Sequence, residues 1–224
     1  MRSDLIRQSD LVPENILSTP ITIGGAGAIG SWVGLSLAKM GFEFIEFYDD
    51  DKVDEVNLSS QFFSKSQVGQ EKVYATRDLI KAFTGVEIRA RNERLTLESR
   101  PEGSIFISAV DSMQSRKAIY NAVKNTACRY LIDPRMGAET ALLYVCKMTD
   151  EEDRARYQKT LYSDSQAVQE RCTAKATIYT ANMLSGLVCK SVRDILVGKY
   201  NWHYMWDIKN DDFEAYSLVK EVPL

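Results

Sequence analysis

The stretch from Ile21 to Tyr48, ITIGGAGAIGSWVGLSLAKMGFEFIEFY, constrains the fold of this chain more than any other, and Asp49, Asp50 and Asp51 follow it at once. A short apolar run, Ile21 and Ile23, leads into Gly25-Ala26-Gly27-Ala28-Ile29-Gly30. Trp32, Leu35 and Ala38 then recur at helical spacing before a second strand-like run. The pattern is strand, glycine turn, helix, strand. In such a unit Gly25 permits the tight turn, Gly27 lets backbone amides approach a phosphate, and Gly30 lets the helix pack closely on the sheet. The phosphate then lies at the positive end of the helix dipole, among unpaired N–H groups. Asp49 closes the second strand, where a carboxylate accepts hydrogen bonds from a ribose. By itself the motif says only "nucleotide", and the competing reading is a glycine-bearing turn in an unrelated α/β protein.

A chain of 224 residues with 45% hydrophobic content is long enough for one substantial α/β core and short for two. A single domain over 1–224 is expected, with an N-terminal arm (1–19) and a C-terminal hairpin (200–224). The net charge of -3 argues against a nucleic-acid groove or an anionic membrane surface as partner. Residues 21–38 are uncharged, but their five glycines fit a glycine-turn unit better than a membrane span. The N-terminal MRSDLIRQSD has charges where a secretory signal needs an apolar centre, so a cytoplasmic protein is expected. No two of Cys128, Cys146, Cys172 and Cys189 stand at CxxC spacing, which argues against a zinc site. Cys128, Cys146 and Cys189 border or lie in apolar runs and read as core residues. Cys172 precedes a helix and stands near Arg171 and Lys175, where a thiolate is favoured.

Along the chain, Pro13 and Pro20 fence off a short helical arm over 4–12, and 52–67 reads as a loop with one helical turn. A helix is expected over 68–83, ended by Thr84-Gly85, and a half-exposed strand over 86–90. Residues 104–110 form a buried-strand pattern delivering Asp111, 112–126 a helix, and 129–132 a strand delivering Asp133-Pro134-Arg135. A strand over 141–145, a charged helix over 150–161 and a long helix over 174–197 follow. An aromatic hairpin around Asn210-Asp211-Asp212 holds His203, the only histidine, as a packed or edge-strand residue. The fold class is α/β, Rossmann-like and doubly wound, with a mainly parallel sheet and antiparallel C-terminal strands. Ligands bind outside the carboxyl ends of such strands, so Asp49, Asp111 and Arg135 are expected on the edge that carries the glycine turn.

Four further motifs stand in order: Asp49-Asp50-Asp51-Lys52-Val53, Asn57-Leu58-Ser59-Ser60-Gln61, Val68-Gly69-Gln70-Glu71-Lys72, and Asp111 with Arg116 five residues on. From about Arg7 to Gly198 the chain resembles the ThiF/MoeB/HesA family, related to the adenylation domains of ubiquitin-activating enzymes. The resemblance implies ATP- and Mg2+-dependent activation of the C-terminal carboxylate of a ubiquitin-like (β-grasp) protein or a peptide. It implies that Asp49 holds the ribose, Asp51, Asn57 and Gln61 order the loop and contact the nucleotide, Lys72 neutralises phosphates, and Asp111 binds magnesium. Leu5-Ile6-Arg7-Gln8 is similar to the arginine-glutamine segment of MoeB-like enzymes, which implies a homodimer with Arg7 contacting phosphate in the partner's site. The Cys172 segment resembles the region around the catalytic cysteine of the compact activating enzyme for the ubiquitin-fold modifier, which implies a thioester on Cys172.

One departure stands out. Ser60 occupies the place of a phosphate-binding arginine in the family pattern, and Arg135 is the expected substitute cation. Two other readings stay open. A NAD-dependent oxidoreductase fits the glycine turn and Asp49 but lacks an evident hydride-transfer partner. A non-catalytic nucleotide-binding dimeric module fits the loss of the arginine.

Overall fold

Strands covered by helices on both faces are apolar throughout, and β1 (Ile21–Gly24), β2 (Ile45–Tyr48) and β4 (Ile105–Ser108) are buried at every position. With β3 (Arg89–Arg91) at one edge, they pair in parallel in the order β3-β2-β1-β4. β4 continues in parallel to the first residues of β5 (Tyr130–Gly137), with Ile107 opposite Ile132. The sheet then changes sense. β6 (Thr140–Lys147), β7 (His203–Asp207) and β8 (Asp212–Tyr216) add successive antiparallel strands, giving the order β3-β2-β1-β4-β5-β6-β7-β8. The computed structural model describes residues 3–96, 98–162 and 177–216.

Side chains alternate across the sheet, so each strand feeds two layers. Ile21, Ile23, Phe47, Ile107 and Leu143 face one layer. There they pack with Val33 and Leu37 of α1 (Gly30–Lys39), Ile80 of α2 (Lys72–Thr84) and Leu184 and Val188 of α5 (Ile178–Leu196). Phe106, Leu131 and Cys146 face the other layer, with Ile119 and Val123 of α3 (Met113–Val123) and Tyr157 of α4 (Glu151–Gln158). Full burial of each large apolar side chain contributes about 1.5–3 kcal/mol. Helix starts are capped by polar side chains: Ser112 accepts from the Ser115 amide, Asp150 from Asp153 and Thr177 from Thr180.

Several expectations shift, among them the strand expected over 86–90, which lies at Arg89–Arg91. α2 begins at Lys72 rather than at 68, because Gly69 takes φ +89 and the Gly69 and Val53 amides exchange bonds with Val53 O and Gln70 O. β5 runs to Gly137 rather than ending at Ile132, because β6 pairs with it along its whole length. Residues 52–67 hold two 3-10 turns, Glu55–Asn57 and Lys65–Gln67, where one turn was expected. The N-terminal arm is a 3-10 helix over Ser3–Gln8, anchored by buried Leu5 and by Gln8 Nε2, which donates to Lys39 O at 3.0 Å. Among the described residues, β7 and β8 pair antiparallel as a hairpin around Asn210-Asp211-Asp212.

The turn after β1 depends on two absent side chains. Gly25 has φ +97, and a Cβ there would lie 2.5 Å from Ala109 O; a Cβ on Gly30 would lie 1.9 Å from Gly25 O. Gly30→Ala therefore forces the turn apart, and urea denaturation is expected to show a loss of about 3 kcal/mol, at the upper end for overpacking a tight site.

Candidate functional site

From β1 the chain runs outward to β2 and β3, then returns across β1 to β4. The connections leaving the C-terminal ends of these paired strands therefore run to opposite faces of the sheet, to α1 and α3, and define a crevice at the switch point. The glycine turn sits in that crevice, tied to both neighbours: the Gly25 amide donates to Tyr48 O and the Ala109 amide to Gly24 O, each at 2.8 Å. Asp49, partly buried at the end of β2, accepts from the Ala26 amide at 2.7 Å and from the Asp51 amide at 2.8 Å. Burial pushes its carboxyl above the usual 3.8, and the two backbone N–H groups oppose that shift. A carboxylate has about four acceptor sites, so these bonds leave capacity for a hydroxyl pair.

Lys72 starts α2 with its side chain only 8% exposed, and its ammonium lies 2.8 Å from Asp51 Oδ2. Its amide donates to Asp51 O at 2.9 Å, so the strand end and the helix start are fixed to each other twice. Arg94 lies 3.4 Å from Asp50. Ligand oxygens of Asp49, Asp50 and Asp51 all fall within 4.8 Å of one another. Asn57 closes a small box in which its Oδ1 accepts from the Asp54 amide and its carbonyl accepts from the Ser60 and Gln61 amides.

A Cβ built on Gly27 would meet only Gln61 Nε2, at 3.9 Å, and Gly27 does not have a positive φ. The protein itself therefore leaves this face of the turn bare. Gln61 Oε1 is buried there without a hydrogen-bond partner. A bare backbone surface at a helix start suits close approach of a nucleotide phosphate, while the orphaned amide oxygen, an acceptor, suits a donor such as a ribose hydroxyl or a base amine and not the phosphate itself. Ser60 is 9% exposed, and its carbonyl accepts from Trp32 Nε1 at 3.1 Å.

Asp111 lies exposed three residues past the end of β4 and two past Ala109, whose amide donates to Gly24 O. An exposed carboxylate is a hard oxygen donor of the kind magnesium takes. Arg135 requires correction as a substitute phosphate cation. It lies inside β5, 8% exposed, with Nε and Nη2 donating to Asp133 Oδ2 and with Nη1 and Nη2 donating to Thr160 O and Oγ1. Four of its five N–H donors are engaged, and its guanidinium stacks 4.5 Å over Tyr144. Arg7 is exposed in the arm at the far end of α1. Cys172 lies outside the described residues. Cys128, Cys146 and Cys189 are buried, which pushes each thiol up to about 12. His203 stacks between Tyr144 and Tyr216 at 4.6 and 5.4 Å, and burial holds its imidazole below 6.5. Sequence reasoning placed Asp133 after a strand but missed its role: it is 0% exposed and lies against both Arg116 and Arg135. The signal was an acidic residue ending an apolar strand run.

The sequence pattern of the ThiF family matches residues 4–221, and the chain belongs to that family. It is 30% identical over 131 residues to ubiquitin-like modifier-activating enzyme 5 of Caenorhabditis elegans, covering 51% of this chain and 30% of that protein. It is 33% identical over 115 residues to the NEDD8-activating enzyme E1 catalytic subunit of the same species, covering 48% and 27%. The chain thus matches less than a third of the length of either relative. Its fold is shared with E. coli MccB crystallised with ATP, at a TM-score of 0.70 and 14% identity over 91% of this chain and 65% of that one. It is shared equally with E. coli tRNA N6-threonylcarbamoyladenosine dehydratase, TcdA, at 0.69 and 18% over 88% and 95%. Among the described residues, no helix is long and apolar enough to cross a membrane.

Asp49 gives a pH prediction. Its folded carboxyl holds a proton more tightly than the unfolded one, so its stabilising contribution is fully present below about 3.8 and is lost as pH rises through the raised folded value. Urea unfolding at pH 7, 5.5 and 4.5 should show the wild type gaining stability relative to Asp49→Asn as pH falls. A gap that narrows instead would contradict desolvation as the main cause.

Proposed function

We propose that this chain adenylates the C-terminal carboxylate of a ubiquitin-like protein or a peptide, consuming ATP with Mg2+, in the cytoplasm and as a homodimer. The observation that carries the reading is the bare backbone at Gly27 beside the orphaned Gln61 Oε1, at the switch point of a ThiF-family sheet. The relatives named as activating enzymes and the MccB structure with ATP support it.

Each residue then has a role. Asp49 orients the ribose; Asp51 and Asn57 hold the loop; Gln61 meets the nucleotide through its free oxygen; Lys72 draws charge off the phosphates. Asp111 would hold Mg2+, which when bound would neutralise the phosphate oxygens. The substrate carboxylate oxygen attacks the α-phosphorus, the bond to the bridging oxygen breaks, and pyrophosphate leaves. Positioning and charge stabilisation supply the acceleration. A thiolate can then displace AMP from the acyl carbon. Cys172 is our candidate for that thiolate, and the burial of the three other cysteines supports the choice.

The dimer rests on the resemblance of the Arg7 segment, and the arm's position says where such a contact would fall. Gln8 is bonded to Lys39 at the end of α1, and a 10-residue helix puts the glycine turn roughly 15 Å away, so Arg7 reaches a phosphate only in a second copy. Ser60 favours the second reading, a nucleotide-binding module without catalysis. Its carbonyl is pinned to Trp32, and a serine brings no charge to the phosphates.

ATP:pyrophosphate exchange with candidate β-grasp proteins and C-terminal glycine peptides tests the proposal. Asp111→Ala and Lys72→Ala should each lower exchange about 10²–10³-fold, the range for losing one charge-stabilising contact. Cys172→Ala should leave exchange intact and abolish any thioester. ATP binding without exchange for every candidate would favour the module.

A further inference from the structure

Asp133 is the most deeply buried charge among the described residues, and the groups around it connect four elements. Arg116 reaches back from α3. Its Nη1 donates to Val110 O, its Nη2 donates to Pro134 O at 3.1 Å, and its Nε lies 3.1 Å from Asp133 Oδ1. That last contact is an ion pair rather than a directed hydrogen bond, since neither atom has a hydrogen-bond partner. The second oxygen of Asp133 accepts from Arg135 Nε and Nη2 at 2.9 and 2.7 Å and from the Tyr157 hydroxyl at 2.9 Å. Arg116 and Arg135 are 5% and 8% exposed, so the cluster is shielded from bulk solvent and its charges interact strongly.

Val110 O belongs to the peptide unit that also carries the Asp111 amide. The loop from β4 to α3 is held at its start by the Ala109 amide on Gly24 O and at its end by the Ser112 cap. Of these holds, the Arg116 contact alone acts on the peptide plane directly before Asp111. We propose that Arg116 is a positioning residue: by fixing that plane, it sets where Asp111 presents its carboxylate to the metal-nucleotide substrate. This inference rests on the adenylation reading for the role of Asp111. Asp133 in turn fixes the guanidinium, with Arg135 and Tyr157 holding the carboxylate from its other side. A lysine at 116 keeps the charge but has no planar fork, and cannot reach Val110 O, Pro134 O and Asp133 together.

The test is metal binding rather than turnover. Mn2+ affinity of the full chain, saturated with a non-hydrolysable ATP analogue, is read from free Mn2+ by electron paramagnetic resonance for wild type, Arg116→Lys, Asp111→Asn and the double variant. Loss of an outer contact that orients a metal ligand typically weakens metal binding 10–100-fold. Arg116→Lys should therefore raise the Mn2+ dissociation constant at least about tenfold, while analogue binding in metal-free buffer stays unchanged. The double variant should be no weaker than Asp111→Asn alone, since both act through one carboxylate. Wild-type Mn2+ affinity in a folded Arg116→Lys, with Asp111→Asn weakened, overturns the positioning role alone. Unchanged Mn2+ affinity in Asp111→Asn overturns the metal assignment of Asp111 and the positioning role with it. Should Arg116→Lys fail to fold, Arg116→Gln carries the same comparison, because its amide meets fewer of the three acceptors and leaves no unpaired buried cation.

Discussion

The contact between the start of α1 and the glycine turn is the constraint on which the rest of this molecule depends. With Gly30 packed against Gly25 O and Gly25 against Ala109 O, β1, α1 and β4 meet at a single point with no room for a side chain. That closeness brings the N-terminus of α1, with its partial positive charge, to the crevice between β1 and β4. Asp49 then reaches in from β2 to bind the Ala26 amide, so three adjacent strands share in holding one turn.

Two aspartates, one just past β2 and one inside β5, illustrate how charge is used in this sheet. Asp49 accepts backbone N–H groups at the cost of desolvation, which its raised carboxyl pKa records. Asp133, at the level where the parallel pairing of β5 ends, takes two arginines and a tyrosine hydroxyl instead. Breaking a buried ion pair by removing one partner typically costs about 3–5 kcal/mol. The charges best placed to shape the site are therefore also ones the fold relies on. Arg135 belongs to that second group, which is why a cation near a strand end is not thereby a cation for the ligand.

Local pattern accounts for much of what was legible in the sequence. The glycine turn, the strand ending at Asp49, the buried strand before Asp111 and the aromatic hairpin all follow from periodicity within short windows. Lys72 was legible as a motif residue, but its contact with Asp51 depends on Gly69 turning the chain back past Val53, a tertiary fact. The extent of β5 and the engagement of Arg135 were not legible, because they depend on β6 and on Thr160 just past α4, which follow later in the chain. The link from Arg116 to Asp133 and Val110 joins residues 17 and 6 apart through a buried carboxylate, and no local spacing reports that.

The central claim is that Gly27 is bare for a ligand and not for the fold. Calorimetric titration of Mg2+-ATP into Gly27→Val, beside a thermal melt, tests it most directly. Because the added side chain starts from a point whose nearest contact is the tip of Gln61 at 3.9 Å, the fold should hold its melting temperature within a few degrees while ATP binding is lost. A variant that melts like the wild type and still binds Mg2+-ATP with wild-type affinity would contradict the claim.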